Sequence, residues 1–186
     1  MRCFIAIDIP SVIRESLAKL ISHISAKSSG VKFVQPENIH ITMKFLGEID
    51  EKKTQDVIAS LKVLSASHSP FSLEIKGAGV FPDPKRPNVL WVGVSESGRL
   101  QSMYKAMEAS LALLGFEKEA RRFSPHLTIG RVKERRSAGF AVHELLKHSG
   151  EVFGSFEARE ICLMQSVLKP SGAEYSSLAT FGMKQC

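Results

Sequence analysis

Two short segments hold residues that could do chemistry together: His40-Ile41-Thr42-Met43 and His126-Leu127-Thr128-Ile129. An imidazole with an ordinary pKa near 6.5 exists in both protonation states around neutrality, so one can accept a proton while another gives one up. A threonine hydroxyl can donate to an oxygen on which negative charge builds. Hydrolysis of a phosphodiester needs such parts: a base for water, an acid for the departing sugar oxygen, and donors for the non-bridging oxygens. No metal is required by this scheme. Successive side chains on a strand face opposite ways. Each motif therefore shows histidine and threonine to one side and its two apolar residues to the other. A single His-x-Thr is a common accident of strand composition. Two of them, each flanked by apolar residues and about half a chain apart, form a pattern.

The surrounding elements must hold these motifs in place. Residues 2–8 read as a strand that ends at Pro10. Residues 11–26 place Val12, Ile13, Leu17, Leu20, Ile21 and Ile24 at helical spacing, with Ser11 as the N-cap. VKFV and HITMKFL read as strands around a turn at Pro36–Asn38. A second helix is expected over 51–66, strands at FSLEIKGAGVF and NVLWVGV, and a third helix from Leu100 to Leu114 closed by Gly115. HLTIGRV, a short helix over 140–148, and two long strands, FEAREICLMQSV and EYSSLATF, about a turn at Pro170–Gly172 complete the chain. Mixed strands and helices with hairpin-like pairs point to an α+β fold with largely antiparallel sheets and helices outside. Each half contains strand–helix–strand with one His-x-Thr. That arrangement predicts a degenerate duplication: two lobes about a pseudo-twofold axis, facing each other across a cleft. The chain of 186 residues is expected to be one domain, 1–186, of two intertwined lobes.

Composition narrows the partners. Hydrophobic residues make up 44% and charged residues 24%, values that exclude a disordered chain. Lys and Arg total 25 against 19 Asp and Glu, an excess suited to a polyanion. It concentrates around the second motif, where Lys118, Arg121, Arg122, Arg131, Lys133, Arg135 and Arg136 face only Glu119 and Glu134. Cys3, Cys162 and Cys186 match neither a metal spacing nor a disulfide framework, so free thiols in a reducing, cytoplasmic setting are expected. The apolar run of MRCFIAIDIP is too short for a signal segment, and no stretch suits a membrane span.

With both motifs in this context, the chain resembles the two-histidine phosphoesterase superfamily. It is most similar to the bacterial and archaeal RNA 2′,3′-cyclic phosphodiesterases once called 2′-5′ RNA ligases. The resemblance runs from RCFIAIDIP through NIHITMKFLGEI, FSLEIKGAGVFP and RPNVLWVGV to RRFSPHLTIGRVK and the SVLKPSGAEY turn. It implies a bilobal fold, a terminal 2′,3′-cyclic phosphate on RNA as substrate, a 2′-phosphomonoester as product, and reverse 2′-5′ ligation. It further implies His40 as proton donor, His126 as proton acceptor, and no cofactor or obligate protein partner. Near-symmetry of the motifs leaves the donor–acceptor direction open.

The resemblance also implies a phosphate contact for Arg131 beside Thr42 and Thr128. Strand parity sends residue 131 away from 126 and 128; a bulge at Gly130 would bring it back. Lys44 has the parity of His40 and Thr42, whereas a strand lysine is commonly just exposed. Phe45 and Phe4 could each stack on a base or pack in the core. Trp91, in an apolar run, is expected in the core, and His23, His68, His143 and His148 on the surface. Three other readings share parts of this pattern. A metalloenzyme would need more ligands than one per motif. A non-catalytic RNA-binding module would not need both motifs intact. A relative acting on a 2′-5′ oligonucleotide, a cyclic nucleotide or an ADP-ribose cyclic phosphate would carry the same catalytic pairs.

Overall fold

The computed structural model describes residues 1–170 and 172–184. In chain order the elements are β1 (Arg2–Ile7), α1 (Ser11–Ser25), β2 (Val31–Phe33), β3 (Ile41–Glu48), α2 (Glu51–Ala66), β4 (Phe71–Phe81), β5 (Val89–Glu96), α3 (Arg99–Leu113), β6 (His126–Val132), α4 (Gly139–Leu146), β7 (Val152–Ala158), β8 (Glu160–Lys169) and β9 (Gly172–Gly182). The fold is α+β, and its strand pairs are antiparallel.

Local chemistry explains the helices that frame the site. In α1, Ile13, Leu17, Leu20, Ile21 and Ile24 are buried on one stripe, as a 3.6-residue period requires. Ser11 is the first helical residue and caps nothing; Pro10 occupies the N-cap position without a side-chain bond. Proline brings a pre-set φ that suits this position, so the helix starts on backbone geometry. In α2 the Asp50 carboxylate accepts from the Lys53 N–H at 2.7 Å, a side-chain N-cap. Gly115, at φ 85°, ends α3 in the left-handed conformation that residues with a Cβ avoid.

The strands run in the order β7-β4-β5-β6-β3-β1-β8-β9, with β2 added on β6. Two sheets were expected; instead two four-stranded halves join into one curved sheet. The join is a single residue pair, Ile41 opposite Leu127, the central residues of the two motifs. Both side chains are fully buried in a core shared with α1, α2, α3 and α4. Truncating either to alanine costs about 2–5 kcal/mol by the usual cavity cost. Their hydrophobicity thus closes the seam and turns the neighbouring histidines and threonines to the opposite, concave face.

One expected strand proves to be two. FEAREICLMQSV breaks at Arg159; β7 pairs with β4 at one end of the sheet and β8 pairs with β1 near the other. The adjacent polar residues Arg159 and Glu160 interrupt the apolar alternation at that point, so residue type marks the break but not the change of partner. The turn expected at Pro170–Gly172 includes Ser171, and Cys186 was expected as a free thiol; both lie outside the described residues. Cys3 and Cys162 are free and buried, and burial raises the pKa of each thiol. Among the described residues no helix is long and apolar enough to cross a membrane.

Candidate active site

The antiparallel register about Ile41 and Leu127 sets His40 across from Thr128 and Thr42 across from His126. All four side chains line one open cleft of about 770 Å³. The two imidazoles are fixed alike. His40 Nδ1 lies 2.8 Å from the Asn38 carbonyl, and His126 Nδ1 lies 2.8 Å from the Ser124 carbonyl. A carbonyl oxygen only accepts, so each Nδ1 carries the hydrogen and Nε2 is left as the reactive nitrogen. Neutral, that nitrogen takes a proton; charged, it donates one. The loop before His40 is itself anchored: Arg14 donates to the carbonyls of Pro36 and Ile39 at 2.8 and 3.2 Å, and the Asn38 amide donates to the Ala173 carbonyl at 3.1 Å.

The surroundings of the two rings differ. His40 stacks on Phe4 at 4.8 Å and meets the edge of Tyr175 at 5.3 Å. Burial among these rings lowers its pKa below 6.5; the Asn38 carbonyl and the Asp8 charge oppose that shift and Arg14 adds to it. His126 meets the edge of Phe81 at 5.1 Å, and Phe81 stacks on Trp91 at 5.1 Å. The hydrogen bond that fixes His126 is solvent-exposed, whereas that of His40 is partly buried.

Arg131 reaches the same cleft. Thr128 pairs with Trp91 and Gly130 with Leu90, so the register slips by one residue between them. This bulge returns Arg131, opposite Val89, to the face of Thr128. An added Cβ at Gly130 would stand 2.9 Å from Val31 Cγ1, so the close approach of β2 favours glycine there. Arg121 and Arg122 border the cleft from the loop before β6. Among the described residues no three His, Cys, Asp or Glu side chains are grouped to hold a metal ion.

A family model described as LigT like Phosphoesterase matches residues 7–91 and again 92–175. The chain belongs to the LigT-like phosphoesterase family. The double match divides the chain into halves with one His-x-Thr each, in line with the two halves of the sheet. An RNA 2′,3′-cyclic phosphodiesterase of Archaeoglobus fulgidus is 39% identical over 97% of this chain and 99% of the relative. One of Methanocaldococcus jannaschii is 40% identical over 94% and 96%. Among solved structures, TT0787 of Thermus thermophilus superposes with a TM-score of 0.83 at 26% identity over 98% of both chains. E. coli LigT complexed with 3′-AMP does so at 0.82 and 25% identity, over 99% of this chain and 98% of that one.

Not every candidate of this LigT-like phosphoesterase fits its expected place. Phe4 is only 2% exposed and lies under the His40 ring, so it supports the imidazole and has no free face for a base. Phe45, at 65% exposed, borders the cleft. Lys44 also borders it, but Met43 is an extra residue against β1: Thr42 pairs with Ala6 and Lys44 with Ile5. That bulge reverses the parity and sends the ammonium to Glu108 of α3 at 2.6 Å. Lys44 therefore leaves the substrate-binding set. Trp91 is half-buried and shares the cleft face with Thr128, its ring over Gly79, where a Cβ would lie 2.3 Å from the indole. His23 is exposed and His68 caps α2 through the Leu64 carbonyl. His143 is exposed, and the partly exposed His148 pairs with Glu151. Tyr175 and Phe81, the rings against the two histidines, escaped the sequence reading. Each comes from a strand distant in sequence, and only the strand order connects it to its histidine.

Proposed function

We propose that this LigT-like phosphoesterase opens the 2′,3′-cyclic phosphate at the end of an RNA to a 2′-phosphomonoester. The observation that carries the reading is the matched pair of imidazoles in one cleft, each with Nδ1 tied to a carbonyl and Nε2 free. The relatives' shared name supports the substrate class.

Water attacks phosphorus as His126 Nε2 takes one of its protons; the bond from phosphorus to O3′ breaks as protonated His40 gives its proton to that oxygen. The product holds a 2′-phosphate and a free 3′-hydroxyl. His126 ends charged and His40 neutral, and solvent restores both. Hydroxyls of Thr42 and Thr128 donate to the non-bridging oxygens, and Arg131 balances their charge. Burial suits His40 to the acid role: a depressed pKa makes the imidazolium a readier donor. The anionic phosphate, once bound, offsets the depression and loads the proton. His126, whose fixing hydrogen bond is open to solvent, faces the side from which water comes. Phe45 offers a face for the terminal base, and no metal or cofactor takes part. Reduced thiols fit a cytoplasmic protein.

Incubation of RNA ending in a 2′,3′-cyclic phosphate, with EDTA in excess, tests the reading. A 2′-phosphomonoester is expected. A 3′-phosphomonoester, no product, or turnover that returns only on adding a divalent ion would overturn it.

A further inference from the structure

Glu108 is the one buried residue of acidic or basic type among those described, and no step above uses it. Its side chain and that of Lys44 are 9% and 8% exposed. An ion pair so placed contributes little net stability over an apolar pair of the same size, because both charges lose their water. Its geometry suggests a different use. Glu108 Oε1 takes Lys44 of β3 at 2.6 Å, while Oε2 accepts from the Glu119 N–H at 2.9 Å. The Lys44 ammonium also donates to the Glu117 carbonyl at 2.8 Å. The pair thus closes a triangle between the first-motif strand, α3 and the loop that leads to the second motif.

Among the described residues, other contacts hold the ends of that loop. At its start Lys53 donates to the Leu114 carbonyl at 2.8 Å and lies 5.8 Å over the Phe116 ring. At its finish Phe123 stacks on Tyr104 at 3.9 Å, and the Pro125 carbonyl accepts from Val94 N–H at 3.3 Å. Between these anchors lie Arg121 and Arg122, exposed at the cleft. The Arg121 N–H contacts the Glu119 carboxylate at 3.3 Å, so the arginines follow directly from the segment the pair fixes.

We propose that the buried Lys44–Glu108 pair is a positioning device that holds the 117–122 loop and so sets where Arg121 and Arg122 meet the phosphates of an RNA upstream of its reacting end. The inference rests on RNA as the substrate class. Lys44 and Glu108 are positioning residues: they place a binding surface and touch no substrate.

The test uses Lys44→Met/Glu108→Leu, which removes both charges at once and leaves neither orphaned; such apolar replacements are often neutral for folding. Binding is read with a single-stranded oligonucleotide ending in a 3′-phosphate, across a salt series. Turnover is read with a nucleoside 2′,3′-cyclic phosphate, which has no upstream phosphates. Oligonucleotide affinity is expected to fall about tenfold, and the salt slope to shrink by about 0.7 for each phosphate no longer neutralised. Mononucleotide kcat should stay within about threefold of the unaltered protein, since its contacts are made elsewhere. Arg121→Ser/Arg122→Ser, which alters exposed residues only, should give the same loss, and all four changes together no further loss. That pair of variants decides the matter even if the first fails to fold: unchanged affinity and slope without the two arginines would overturn the proposal. So would full affinity in a folded Lys44→Met/Glu108→Leu protein, additive losses, or an equal drop on the mononucleotide. Binding as described with no opening of any cyclic phosphate would sink the substrate reading and uphold the positioning role.

Discussion

His40 sits between two aromatic rings, with its hydrogen bond partly buried; His126 touches one ring edge, and its hydrogen bond is open to solvent. Both are fixed by the same contact, a 2.8 Å bond from Nδ1 to a carbonyl two residues earlier. Duplication accounts for the common part. The unlike walls do the rest: aromatic enclosure lowers the pKa of His40, while the hydrogen bond that fixes His126 is open to solvent. In the proposed reaction two equal imidazoles could exchange roles, whereas two in different surroundings would favour one direction of proton flow.

Removing either ring tests whether both halves are needed. His40→Ala and His126→Ala should each lower kcat by about 10²–10⁴-fold, the usual worth of acid–base assistance. Circular dichroism should show both variants folded, because both rings face the cleft and neither closes the seam. Near-normal turnover in either folded variant would make that half a scaffold.

The threonines come next. Thr42→Val and Thr128→Val remove one donor each, and kcat should fall roughly 10–1000-fold. Comparable losses would mean that the phosphate sits astride the two strands. A loss confined to one would place it against that half alone.

A smaller effect should distinguish the histidines by titration. Because burial holds the His40 pKa below 6.5, the unfolded chain binds this proton more readily than the folded one. Stability is therefore full above about 6.5 and falls as pH drops towards the lowered value, where the unfolded state carries the extra proton. In His40→Gln that part of the acid loss should vanish from urea melts. Resolved by NMR, His40 should titrate below 6.5 in the empty protein and move up with inorganic phosphate in the cleft. A ring titrating at 6.5 or above when empty would remove the asymmetry on which the roles rest.

The element order was legible because apolar spacing differs between helix and strand, and the two motifs because their repetition exceeds chance. Side-chain direction was not, wherever a bulge intervened. One extra residue at Met43 moved Lys44 off the cleft face, and the slip beside Gly130 brought Arg131 onto it. Glycine hints that a bulge is tolerated, whereas methionine gives no such hint. Residue type also did not reveal which strands β7 and β8 would pair with, or that Tyr175 would stand against His40. Those facts belong to the strand order, which pairs residues far apart in the chain.

The division of labour between the halves can be measured by changing the leaving atom. A 2′,3′-cyclic substrate with sulfur in place of the 3′ oxygen departs as a thiolate and needs no proton from an acid. Turnover of this substrate by His40→Ala should approach that of the unaltered protein, while His126→Ala, still short of a base for water, should stay as impaired as on the oxygen substrate. Rescue of His126→Ala alone would reverse the roles, and rescue of neither variant would contradict the acid–base pair itself.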